Sequence, residues 1–305
     1  MAEAGPITST ALRQRAEQLG HTLPPLMVQA ERVASTVAQG VHGRRRVGTG
    51  ETFWQFRRYQ TGDAAQRIDW RQSAKSQKLF VRENEWEAAQ SVWLWRDGSA
   101  SMRYRSAFAE TSKLERANLL TLALASLLAR GGERVAMLGT PMRPTTGRTA
   151  VTRLAEQLDD WERRGGDGAT ASEPPPERLP RFSQVVLIGD FLSPLAELER
   201  TITGFAGDGI GGHLLQVLDP AEEDLPFHGR ARFEGLENEG ELIVGRVESL
   251  QYDYRNVMAA RRARLQAAAR RIGWTAAIHR TDRPPQTALL ALYRAIAGNA
   301  MRWTW

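Results

Sequence analysis

The chain of 305 residues contains no cysteine. That single absence excludes disulfides, zinc–thiolate centres, iron–sulfur clusters and cysteine nucleophiles, and nothing points to an oxidising compartment. Histidine is sparse and scattered, at His21, His42, His213, His228 and His279, and no H-E-x-x-H helix, Walker loop or G-x-S-x-G elbow is present. No apolar run reaches the roughly 18 to 20 residues of a membrane span; the longest, Leu119 to Ala129, is interrupted by Thr121 and Ser126. The first residues, MAEAGPITST, lack a basic segment followed by an apolar one, so no secretory signal is expected and a cytoplasmic location is the default. Basic residues outnumber acidic ones 41 to 35, a net charge of +6 carried mostly by arginine. Such a balance permits attraction to nucleic acid or to an acidic surface, but no nucleic-acid motif accompanies it.

What is present is organised around Ser91 to Met102, SVWLWRDGSASM. Val92 to Trp95 has the length and bulk of a buried strand. Asp97, Ser99 and Ser101 then fall at i, i+2 and i+4, so in an extended loop their oxygens face one way. Just past the carboxyl end of a strand, where open α/β sheets hold ligands, that set suits Mg²⁺ or Mn²⁺. Asp-Gly-Ser after a strand is also ordinary turn chemistry.

Along the chain, residues 10 to 38 predict two helices broken by Gly20 and Pro24-Pro25. Arg44-Arg45-Arg46 between glycines reads as a connection. Residues 51 to 87 predict two strands, over FWQFRRY and Leu79 to Arg82, around the turn Thr61-Gly62-Asp63. In this segment Arg58, Asp63, Arg67 and Asp69 suit either a structural network of ion pairs or, with Tyr59 and Trp70, a partner-binding surface. Further on, helices are expected over residues 111 to 131, 150 to 161 (with Thr149 as its cap), 195 to 205, 248 to 272 and 286 to 297. Strands are expected over 134 to 140, 183 to 190, 213 to 218 and 275 to 279, with a hairpin inside 221 to 246 and a flexible excursion over 163 to 180.

This alternation predicts an α/β fold, a doubly wound and mostly parallel sheet. The expected organisation is N-terminal helices over 1–44, a small β-rich segment over 45–90 preceding the first core strand, the α/β domain over 91–297 and a tail over 298–305. A second acid, Asp190, also ends a strand and can meet Asp97 over one crevice. With Ser99, Ser101 and a hydroxyl from Thr146 or Thr149, the pair would supply an oxygen site with an open position able to accept a partner's carboxylate.

The D-x-S-x-S run with Asp190 resembles the metal-ion-dependent adhesion site of von Willebrand factor type A domains. Four blocks in order, Arg58-Tyr59 with Gly62-Asp63, Arg67-Ile68-Asp69-Trp70, Asp97 to Met102 and Ser112 to Ala117, resemble the bacterial domain of unknown function 58 family. The resemblance covers most of residues 45 to 297. It implies a von Willebrand factor A-like domain, Mg²⁺ or Mn²⁺ as cofactor, and a protein partner, a MoxR-type AAA+ ATPase, in assembly or activation of other proteins. The expected function is thus a non-enzymatic interaction module. The alternatives are a metal-dependent phosphoryl-transfer enzyme, although Ser99 stands where such enzymes place a second aspartate, and a nucleic-acid-binding protein.

Overall fold

The structure, a computed structural model, describes residues 44–48, 52–60, 66, 68–75, 78–88, 90–163, 172–237 and 240–300. The expected N-terminal helices, the tail beyond residue 300, Asp63 and Arg67 lie outside these residues. The chain divides into two compact units, one over Glu31–Ala89 and one that takes up the chain from Gln90.

The first unit is an antiparallel sheet of β1 (Arg44–Gly48), β2 (Thr52–Arg58) and β3 (Phe80–Ala88), with β3 in the centre. The arginine run expected to be a connection is therefore a strand, Arg44 pairing with Ala88 and Gly48 with Asn84. Its partner β3 runs nine residues, well beyond the expected Leu79 to Arg82, and so has an edge to offer on each side. Between β2 and β3 lies α1 (Trp70–Ser73), capped by Asp69, whose Oδ1 accepts the Gln72 N–H at 2.8 Å.

The second unit is built on β4 (Ser91–Arg96), β5 (Arg134–Met137), β6 (Gln184–Gly189), β7 (Gly211–Leu218) and β10 (Thr275–Arg280). All four pairings are parallel, in the spatial order β10-β7-β6-β4-β5. Side chains alternate across each strand. Val92, Leu94, Val186 and Ile188 enter one core with α2 (Lys113–Arg130), α3 (Gly147–Arg163) and α7 (Pro285–Ala300). Trp93, Trp95, Val185 and Leu187 enter the other, with α4 (Leu195–Gly207) and α6 (Gln251–Arg271). Helices on both faces of a parallel sheet make this a doubly wound α/β fold. Each fully buried aliphatic side chain contributes about 1.5–3 kcal/mol relative to exposure, so both cores are needed to hold the sheet.

Local signals set the element ends. Helix α2 starts with a capping box: Ser112 Oγ accepts the Glu115 N–H, and Glu115 Oε2 accepts the Ser112 N–H. It stops where Gly132 takes φ +82°. Between β7 and α6 come the five-residue α5 (Pro220–Asp224), capped by Asp219, and the hairpin β8 (Ala231–Glu234) and β9 (Glu241–Val244).

In chain order the five core strands lie 2-1-3-4-5, so the winding direction reverses between β4 and β6. The carboxyl end of that gap is where such sheets hold ligands. Asp97 and Asp190 follow these two strands directly.

Candidate functional site at the switch point

Asp97 and Asp190 enter the crevice side by side because the strands beneath them pair in register. The Asp97 N–H donates to the Ile188 carbonyl at 2.8 Å, which continues the β4–β6 ladder by one residue. At Gly189 a Cβ would stand 2.7 Å from the Asp97 Cβ, so glycine is what lets the two strand ends close. Beyond Asp190 the chain turns at Phe191 with φ +50°, a left-handed conformation costly for a buried aromatic residue. Three contacts hold that turn. The Leu192 N–H donates to Asp190 Oδ1 at 3.1 Å, Gln216 Nε2 donates to the Asp190 carbonyl at 2.8 Å, and the Arg261 guanidinium donates to the Phe191 carbonyl.

The expected donors converge, though not through an extended loop. Ala100–Arg103 is a 3₁₀ turn that starts after Ser99. Asp97 Oδ1 accepts the Ser99 N–H at 2.9 Å, the Ser99 and Ser101 hydroxyls stand 3.0 Å apart, and Ser101 Oγ donates to Asp190 Oδ2 at 2.7 Å. Asp97, Ser99, Ser101 and Asp190 thus form one hydrogen-bonded set.

Thr146 and Thr149 do not join it. After β5 the chain doubles back, and Thr145 bridges Val135 in antiparallel fashion, with N–H···O distances of 2.8 and 3.1 Å. Val135 is level with Val92 on the neighbouring strand. Asp97 lies five residues further along, roughly 16 Å away at about 3.3 Å per strand residue. Thr146 therefore lies toward the amino edge of the sheet. Thr149 is the third residue of α3, two positions inside a helix that begins at Gly147 and that it cannot cap.

The group that does join the site is Lys113, absent from the expected donors. Fully buried at 0% exposure, its ammonium donates to Asp190 Oδ2 at 2.7 Å and to Glu222 Oε1 at 2.5 Å. Burial opposes that charge, but Asp190 and Glu222 outweigh it and hold the lysine above its ordinary range. Glu222 reaches the ammonium from the capping box of α5, where its other oxygen accepts the Asp219 N–H. Asp219, also fully buried, accepts from the Ser106 and Ala221 amides and ties the loop ahead of α2 to the end of β7. One sequence signal was available: a lysine in the first turn of a mostly apolar helix opposes the helix dipole and needs a carboxylate to hold it there.

Asp190 and Glu222 meet the Lys113 ammonium directly, and Asp97 beside Asp190 is only 1% exposed. Burial, then the neighbouring Asp190 charge, push the Asp97 carboxyl up to about 7. Two carboxylates and two hydroxyls in contact fit a hard divalent cation. Among the described residues no group of three or more His, Cys, Asp or Glu side chains is placed as a ready-made metal cage, so the hydroxyls would be essential to holding one. A cation held there would screen the Asp97–Asp190 repulsion.

In the other unit, Asp69 is occupied as the α1 cap, the Tyr59 N–H donates to the Leu79 carbonyl at 2.9 Å, Arg58 is exposed, and Trp70 is 65% exposed. Among the described residues no helix is long and apolar enough to cross a membrane.

The model of the family described as protein of unknown function DUF58 matches residues 55–264. Uncharacterized protein Rv1480 of Mycobacterium tuberculosis and Uncharacterized protein Mb1516 of Mycobacterium bovis are each 28% identical over 280 residues, 87% of this chain and 86% of theirs. Among solved structures, the conserved hypothetical protein BatB of Bacteroides thetaiotaomicron aligns over 70% of this chain and 100% of its own, at 17% identity and a TM-score of 0.39. An aerotolerance-related membrane protein of Bacteroides fragilis aligns over 69% and 100%, at 18% identity and a TM-score of 0.39. With its family match spanning Asp97, Lys113, Asp190 and Glu222 alike, the chain belongs to the DUF58 family.

Proposed function

We propose that this protein is a non-enzymatic interaction module. In this reading Asp97, Ser99, Ser101 and Asp190 hold Mg²⁺ or Mn²⁺ at the switch point, and a partner protein completes the site. The observation that carries it is the hydrogen-bonded set of two carboxylates and two serine hydroxyls at the β4–β6 gap. A bound cation supplies positive charge and an open position for a partner carboxylate. The residues do the rest: the Ser99 amide orients Asp97, the Leu192 amide orients Asp190, and Lys113 neutralises the inner side of the cluster.

Burial of Asp97 supports this reading over aspartyl phosphoryl transfer, which needs a nucleophile that a phosphate ester can reach. Nucleic-acid binding is disfavoured for a different reason. Among the described residues, Arg255, Arg261, Arg262, Arg264 and Arg280 are engaged by Asp224, Phe191 and Ser193 carbonyls, Glu223, Glu199 and Asp282, so these five are not left as a basic stripe. The proposed partner is a MoxR-type AAA+ ATPase, with a cytoplasmic setting, and exposed Trp70 and Arg58 are a second contact surface for it. The test is the affinity of the full chain for such an ATPase in Mg²⁺ and in chelator. Binding should weaken about tenfold or more in chelator and in Ser101→Ala. Equal affinity under all three conditions refutes the metal-bridged mode.

A further inference from the structure

Asp190 carries three donors. Its Oδ1 accepts the Leu192 N–H at 3.1 Å, and its Oδ2 accepts both the Ser101 hydroxyl and the Lys113 ammonium, each at 2.7 Å. A divalent ion entering among Asp97, Ser99, Ser101 and Asp190 therefore meets a carboxylate whose charge an ammonium already shares. That ammonium also repels the ion across a short path through protein, where charges are poorly screened.

The ammonium is fixed in place. Lys113 is fully buried, and its Nζ stands 2.5 Å from Glu222 Oε1 and 6.0 Å from the centre of the Tyr104 ring. Glu222 is held in turn. Its other oxygen accepts the Asp219 N–H, and its neighbours on α5, Glu223 and Asp224, pair with Arg262 and Arg280. As the first residue of α2, Lys113 also opposes the helix dipole. Buried ion pairs are often no more stabilising than apolar side chains of the same volume. What an apolar residue at this position could not supply is charge directed at Asp190.

We propose that Lys113 sets the cation affinity of the strand-end site, as a resident counter-ion of Asp190 that a divalent ion must bind against, with Glu222 drawing off part of its charge. The inference rests on the reading of Asp97, Ser99, Ser101 and Asp190 as a cation site and adds the residue that tunes it. Removing the ammonium tightens such a site, whereas removing the Glu222 charge weakens it.

The probe is Mn²⁺ alone, titrated calorimetrically at pH 7.5 into the full native chain, Lys113→Met, Glu222→Gln and the double variant. Glutamine keeps the capping box of α5, which accepts either side chain at that position. Lys113→Met should bind Mn²⁺ about tenfold or more tighter than native, Glu222→Gln about threefold or more weaker, and the double variant between them. A lysine with a merely structural role predicts the opposite sign, since a damaged site loses affinity. If Lys113→Met does not fold, the double variant against Glu222→Gln reads the same effect of the lysine, and should again be tighter. Lysine removal that leaves Mn²⁺ affinity equal or weaker overturns the tuning while the cation site stands. Absence of Mn²⁺ binding in all of these chains overturns the cation reading and the tuning with it.

Discussion

Replacing Lys113 by methionine tests the charge balance of the site most severely. The side chain is close to isosteric but leaves buried Asp190 and half-buried Glu222, which receive the ammonium at 2.7 and 2.5 Å, without it. Breaking one partner out of a buried ion pair typically costs about 3–5 kcal/mol, because the remaining charge stays desolvated. Two carboxylates share the loss here, so the upper half of that range is expected. For a unit of this size about 1 kcal/mol corresponds to roughly 2–4 °C, giving a fall in Tm of about 8–20 °C at pH 7.5. The assay is thermal and urea unfolding of the full chain at pH 7.5 and pH 5. The deficit should shrink at pH 5, where the uncompensated carboxylates of the folded variant bind protons that the unfolded chain holds less tightly. Mn²⁺ should restore part of it at pH 7.5, by mass action on the folded state. A variant that melts within about 1 °C of native at both pH values would refute the reasoning, since the ammonium would then carry no structural charge.

Gly189→Ala forces a Cβ to 2.7 Å from that of Asp97 and should cost about 1–3 kcal/mol in urea unfolding; an unchanged midpoint would mean that the strand ends can part freely. Thr146→Ala and Thr149→Ala should leave Mn²⁺ affinity within about twofold of native, because both residues lie away from the carboxyl edge; a loss of about tenfold in either would contradict the β5 return. His213 and His279, both lowered to about 4 chiefly by burial, are held neutral in the fold. The unfolded chain therefore binds more protons below its ordinary histidine value of about 6.5, and each residue removes about 1.4 kcal/mol of stability per pH unit between there and 4. Asp97, raised to about 7, acts in the opposite sense: it stabilises as pH falls from 7 towards 4. His213→Asn should thus flatten the acid limb by about one proton, read from urea midpoints between pH 4 and 7, and an unaltered slope would show that His213 titrates normally in the fold.

Much of this architecture is legible in the chain because buried parallel strands announce themselves as short apolar runs. SVWLWR and QVVLIG could be placed to within a residue, and each is followed directly by its acid. The Ser112-x-x-Glu115 box likewise marks the start of α2. What the sequence hides is the partner of each polar group. Lys113 meets Asp190 and Glu222 across 77 and 109 residues, and although its place in the first turn calls for a carboxylate, no local pattern says which. The threonines were misplaced because the bridge between Val135 and Thr145 reverses the chain after β5. Arg44 to Arg46 read as a solvated run because charge hides a strand whose pairing is supplied entirely by β3. The 3₁₀ turn after Ser99 escaped for a gentler reason: it brings the same oxygens together as an extended loop would, by a different backbone path.

The central claim is that two carboxylates and two hydroxyls at the switch point bind a divalent cation. Calorimetric titration of Mn²⁺ into the native chain and into Asp97→Asn tests it most directly. The account expects one ion per native chain, with affinity rising as pH increases through 7 because the proton on Asp97 competes with the metal, and no binding in the variant. Native and variant chains that take up Mn²⁺ equally, or a native chain that takes up none, would contradict it.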